Sequence, residues 1–155
     1  LFGAELTYAG QNIKNFNFEK DTKNISRRYR DFISILIMSL ICKRFEKGEK
    51  PYSAEEISLE YKIPIKLTHQ ILSLLQEINL IHEVAEDTKS ENILFQPSID
   101  INKINIELLL NRIDTNGSED FKIDKDHEFE NHWQTLIETR NFAKMQNCAI
   151  LLKDL

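Results

Sequence analysis

Apolar residues at Tyr29, Phe32, Ile33, Leu36, Ile37, Leu40, Ile41 and Phe45 recur three and four positions apart, so residues 24–47 read as one long helix with a broad apolar face. Asn24 or Ser26 can cap its start, and Gly48 stops it. Ser53 with Glu56 three residues on forms a capping box, because the hydroxyl and the carboxylate satisfy N–H groups that an opening helix leaves unpaired. A second helix begins there. Residues 60–63 make a tight turn, and Pro64 suits the first turn of the next helix, where its missing N–H costs nothing. Leu67, Ile71, Leu74, Leu75 and Ile78 form the apolar stripe of that third helix, and Asn79 ends it by tolerating a left-handed backbone. Residues 80–86 alternate enough for a strand, 87–92 are polar turn material, and 93–96 form the return strand. Helix, turn, helix and a two-stranded wing, preceded by a long helix, make the core of a winged helix-turn-helix.

Beyond the wing, Asn105 can cap a short helix over 106–113, ended by Asn116-Gly117. A final helix from about 126 to 145 places Phe129, Trp133, Leu136, Ile137 and Ala143 on one face, and 149–152 docks back on the core. That helix either completes the core with Trp133 buried or faces a partner. The fold class predicted is mainly α with a small β-wing: a winged helix-turn-helix core plus C-terminal helices. The partition is an arm at 1–20, the winged helix with its following helix at 21–114, a linker at 115–125, and a helical extension packing on the core at 126–155.

The 155 residues, 41% apolar and 29% charged, suffice for one core and are short for two. The longest apolar run, 33–42, is interrupted by Ser34 and Ser39 and falls short of the roughly 18 residues a membrane span needs. Cys42 and Cys148 lie far apart with no metal-binding spacing, which suits reduced thiols in a cytosolic protein. The start, from Leu1, resembles a cut: it is either the end of a longer helix or a flexible arm.

Charge separates along the chain. Residues 20–50 hold nine basic and four acidic side chains, a balance of +5, whereas 53–97 hold three basic and eight acidic ones, a balance of −5. Duplex DNA binding draws on Lys and Arg opposite phosphates. The outward positions of the recognition helix are Lys66, His69, Gln70 and Ser73, with Gln76 beside them, and the wing carries Glu83, Glu86, Asp87 and Glu91. That wing would repel phosphates, so nucleic acid is not the expected partner. Lys20, Lys23, Arg27, Arg28 and Arg30 form a basic patch, either a membrane-surface flank or the solvated face of a long helix.

Catalytic and metal-binding residues are not evident. His69, His82, His127 and His132 are dispersed, and Glu128 with His132 and nearby Asp126 has a spacing common by chance on polar helices. Cys42 falls on a buried stripe that disfavours a thiolate, and the four glycines are isolated, so no loop cradles phosphate. No cofactor and no enzymatic activity are expected.

The segments LFGAELTYAGQN, RFEKGEKPYSAEEISLEYKIPIKLTHQILSLLQEINLIHEV and FQPSIDINKINIELLLNRID, with the terminal LLKDL, resemble the C-terminal cytoplasmic region of the YihY/BrkB family of bacterial inner-membrane proteins, often labelled ribonuclease BN. The most specific parts are FGAELT, which closes the family's last transmembrane helix, and the pairing of GEKPYSAEEIS with FQPSIDINKI; where this chain has Asn79 the family more often has Gly. The resemblance implies a polytopic inner-membrane protein with this chain as its cytoplasmic tail, anchored by preceding spans; joined to the absence of catalytic residues, it makes a non-catalytic interaction or regulatory domain the expected function, with a protein partner or self-association. The alternative is a winged-helix transcription regulator that binds DNA, because FQPSIDINKINIELLL also resembles the region after the wing in Rrf2-type regulators, without the cysteine cluster of their iron–sulfur members. A fragment of a tRNA-processing ribonuclease is the third reading, which the residues do not support.

Overall fold

A computed structural model of the chain describes residues 22–145 and 147–155. Helix α1 spans Arg27–Glu46, and its N-cap is Ser26, whose Oγ accepts the Tyr29 N–H at 3.1 Å. It closes in a Schellman turn: Glu49 N–H donates to Arg44 O and Gly48 N–H to Phe45 O, both at 3.1 Å, with Gly48 at φ +67°. The stripe Ile33, Ile37, Met38, Ile41 and Cys42 is buried. The buried face is narrower than the periodicity predicts, since Tyr29 and Phe32 are each 52% exposed and Phe45 48%.

Strand β1 (Tyr52–Ser53) leads into helix α2 (Ala54–Tyr61), where Ser53 Oγ accepts the Glu56 N–H at 3.2 Å. Only that half of the predicted box is made; the Glu56 carboxylate lies 3.7 Å from Arg44 Nη1. Helix α2 ends at Lys62, a left-handed residue with φ +56°, and Pro64 stands at the N-cap of helix α3 (Ile65–Glu77) rather than inside its first turn. Asn79 takes φ +60° at the far end of α3, with Leu80 N–H donating to Leu75 O and Asn79 N–H to Gln76 O, both at 3.0 Å. The second Schellman turn swings Leu80 into the core, where it is fully buried.

The wing consists of β2 (Ile81–Ala85) and β3 (Ile93–Pro97), paired antiparallel from Ile81 opposite Pro97 to Ala85 opposite Ile93. Strand β1 adds to the other edge of β3, giving the order β1-β3-β2. The sheet therefore has three strands where the sequence predicts two, because a two-residue strand is too short to alternate.

A 3₁₀ turn at Ile101–Lys103 and helix α4 (Ile106–Asp114) follow, the helix capped as predicted by Asn105, whose Oδ1 accepts the Leu108 N–H at 2.8 Å. Arg112 donates to the carbonyls of Ile78 and Asn79 at 3.0 and 3.2 Å, which fastens α4 to the C-terminal end of α3. The last residues close the body: Leu152 is fully buried, its N–H donates to Ile104 O at 3.0 Å, and Ile106 N–H donates to Ile150 O at 3.1 Å. Each such fully buried Leu or Ile contributes about 1.5–3 kcal/mol. Helix α5 (Glu130–Lys144) differs: none of its described residues is fully buried, though Trp133, Ile137, Arg140 and Lys144 are largely covered.

Candidate nucleic-acid interface

Helix α3 is placed by its inner side. Leu67, Thr68, Ile71, Leu72 and Leu75 are buried, and the α2–α3 turn is pinned by Ser58 Oγ donating to Ile63 O at 2.6 Å and Thr68 Oγ1 to Pro64 O at 3.1 Å. The 3.6-residue period then turns Lys66, His69, Gln70 and Ser73 outward, and all four are exposed. They share one open surface with Ile65, Leu74 and Glu77. His69 and Ser73 also border a groove of about 230 Å³ that separates α3 from the wing residues Glu83, Glu91 and Ile93. A side-chain amide, a hydroxyl, an imidazole and an ammonium on a protruding helix can hydrogen-bond base edges in a major groove.

The electrostatics differ from the charge count along the sequence, because the basic segment folds onto the acidic one. Arg44 near the end of α1 stacks 3.7 Å over the Tyr52 ring and donates to Lys50 O at 2.9 Å. Its guanidinium lies 3.7 Å from Glu49, 3.7 Å from Glu56 and 3.9 Å from Glu60. Lys50 pairs with Glu86 at the end of β2, and Glu86 also accepts from Asn92 Nδ2 at 2.8 Å and Ser90 Oγ at 3.3 Å. The hydrogen bond from Lys50, and then that from Asn92, hold the Glu86 carboxyl below the usual carboxylate range. Asp87 accepts the N–H groups of Lys89 and Ser90 at 2.7 and 2.6 Å, which shapes the wing tip. Glu56, Glu60 and Glu86, all part of the −5 balance, thus have cationic partners from outside the motif. Arg44 and Lys50 lie far in sequence from Glu60 and Glu86, so no local spacing reveals these pairs.

The basic patch lies elsewhere. Lys20 falls outside the described residues; Lys23, Arg28 and Arg30 are exposed, and Arg27 sits 3.7 Å from Asp114. Asp114 also binds Arg140 at 2.6 Å and Lys144 at 2.8 Å. Burial opposes ionisation of Asp114, but the hydrogen bonds from Lys144 and Arg140 outweigh it and hold the carboxyl below its ordinary value. Burial pushes the neighbouring Asp31 up. Burial likewise drives the Cys42 thiol up to about 12, so it stays protonated at neutral pH. Among the described residues no three His, Cys, Asp or Glu side chains converge as a metal site.

Several solved structures share this fold. CymR of B. subtilis, described as the global cysteine regulator, superposes with a TM-score of 0.56 at 17% identity, covering 84% of this chain and 94% of that one. IscR of T. potens gives 0.55 at 14% identity over 86% and 87%, and CymR of Staphylococcus aureus 0.55 at 16% over 81% and 93%. No family model and no curated protein matches the chain.

These neighbours overturn the YihY/BrkB reading. The solved structures that share the fold over more than four-fifths of the chain include a protein described as a regulator, and nothing in the comparisons points to an inner-membrane protein or a ribonuclease BN-like one. The inner-membrane location and the membrane as partner fall with it; among the described residues no helix is long and apolar enough to cross a bilayer. FGAELT, the most specific element of that resemblance, lies outside the described residues. The expectation that nucleic acid is not a partner is contradicted by the same regulator neighbours, and the acidic balance behind it is partly offset by Arg44 and Lys50.

Proposed function

We propose that the chain is a winged-helix transcription regulator that reads duplex DNA through the outer face of α3. The observation carrying this reading is the joint exposure of Lys66, His69, Gln70 and Ser73 on a helix whose opposite side is locked into the core. The regulators that share the fold support it. Gln70 suits the N6/N7 edge of adenine, and Lys66 contacts guanine or a phosphate. The wing stands beside that face, with Glu86 tied to Lys50 rather than presented to the backbone.

Selection from a pool of randomised duplexes at about 0.15 M salt tests the reading. A consensus bound at about 1 μM or tighter is expected, with Gln70→Ala relaxing one base position at a loss of about 1–3 kcal/mol and Lys66→Glu weakening all sequences. Recovery of no consensus would refute it.

A further inference from the structure

A second site stands apart from the α3 face. Helices α4 and α5 border a partly open cleft of about 330 Å³, with Arg27 of α1, 68% exposed, at its mouth; the volume is within the size range of small-ligand pockets. Its apolar wall is Trp133, Leu136 and Ile137 of α5, and its polar wall is Arg27, Arg140 and Lys144 gathered around Asp114. A further cation, Lys125, lies 5.0 Å over the Trp133 ring. Asp31, packed near Arg27 and Arg140, and Glu119 on the rim temper this charge. Even so, the four cations outnumber the three carboxylates.

Asp114 engages Arg140 through Nη1 alone and approaches Arg27 only at 3.7 Å. A guanidinium carries five donors, so most of those on Arg27 and Arg140 have no carboxylate partner among the described residues. A flat apolar wall beside converging, incompletely used guanidinium donors matches a ligand with a carboxylate at one end and a ring at the other. The geometry points to this cleft as a binding site for a small aromatic monocarboxylate, its ring against Trp133 and its carboxylate shared by Arg27 and Arg140.

The inference is independent of the DNA reading, and its test contains no DNA. Trp133 is the one tryptophan of the chain, so intrinsic fluorescence reports on the cleft wall directly. The full chain is titrated with benzoate, with acetate and sodium chloride at equal ionic strength as controls. Benzoate should change the emission saturably, with half-saturation at about 1 mM or below, an affinity a ligand of that size can reach. Arg140→Gln should raise that concentration roughly tenfold, the loss of one charge-assisted pair. Because Arg140→Gln also loosens α5, Arg27→Gln serves as the second variant: it leaves the Arg140 and Lys144 pairs with Asp114 in place and should raise half-saturation roughly threefold. A response that does not saturate, an equal response to acetate, or titrations unchanged in both variants would each overturn the assignment.

Discussion

Helices α3 and α5 are of similar length, 13 and 15 residues, yet they are held in opposite ways. Five side chains of α3 are buried, and its ends are fixed by the Lys62 turn, the Asn79 turn and Arg112. Helix α5 fully buries none, and its polar attachment to the body runs through Arg140 and Lys144 on Asp114 and Lys144 on Asn111. Apolar burial supplies several kilocalories and little freedom, whereas partly exposed ion pairs supply at most about 1 kcal/mol each and yield to salt. Helix α3 is therefore the more firmly held surface and α5 the more lightly attached one. A 15-residue helix with no fully buried side chain is marginal in water, so α5 depends on its partly covered face and its few polar anchors.

The largest break in this comparison should come from the α3 side. Leu75 is fully buried, and Leu75→Ala should destabilise the whole body by about 3 kcal/mol, lowering the urea midpoint without changing the slope. If that variant lost only α5 protection and kept its global midpoint, the assignment of the core would be wrong.

Asp114→Asn attacks the other side. Amide exchange over 130–144 should accelerate roughly fivefold, about 1 kcal/mol, while protection of α3 stays within error. The same contact gives a pH dependence. The Asp114 carboxyl is held below its ordinary value, so its contribution is complete above the unfolded-state value of about 3.9 and is lost as pH falls through the lower folded one. Exchange of α5 should therefore be flat from pH 7 to 5, after correction for intrinsic rates, and should rise below about pH 4 before the body unfolds.

The two ends of α3 offer a finer test. Asn79 holds φ +60°, so Asn79→Ala should cost about 1 kcal/mol and Asn79→Gly nearly nothing in thermal unfolding. An equal loss in both would show that the Asn side chain, and not the backbone, matters there.

What the sequence discloses follows the range of the interactions. The Ser53 cap, the Asn79 turn and the Asn105 cap are set by neighbours within four residues and are read directly; the α3 stripe is read in part, since Thr68 and Leu72 are also buried and Leu74 borders the open face. The winged-helix order follows from them. Arg44 over Tyr52, Lys50 on Glu86 and Arg140 on Asp114 join residues brought together only by the fold, and no local period marks them. The misjudged partner came from that gap: charges summed along residues 53–97 omit the cations that α1 and the following loop bring to them. The α3 face itself was legible, because outward positions of an amphipathic helix follow once the inward ones are known.

Under the proposed function the rigid helix α3, and not the basic start of α1, meets DNA. Amide chemical-shift mapping on addition of a selected duplex tests it most directly. The largest perturbations are expected at Lys66, His69, Gln70 and Ser73 and along the wing from Glu83 to Asn92, with small ones at Arg28 and Arg30. Perturbations confined to Lys23, Arg27, Arg28 and Arg30, and the same for any duplex, would contradict that reading and leave only non-specific attraction between a basic helix end and a polyanion.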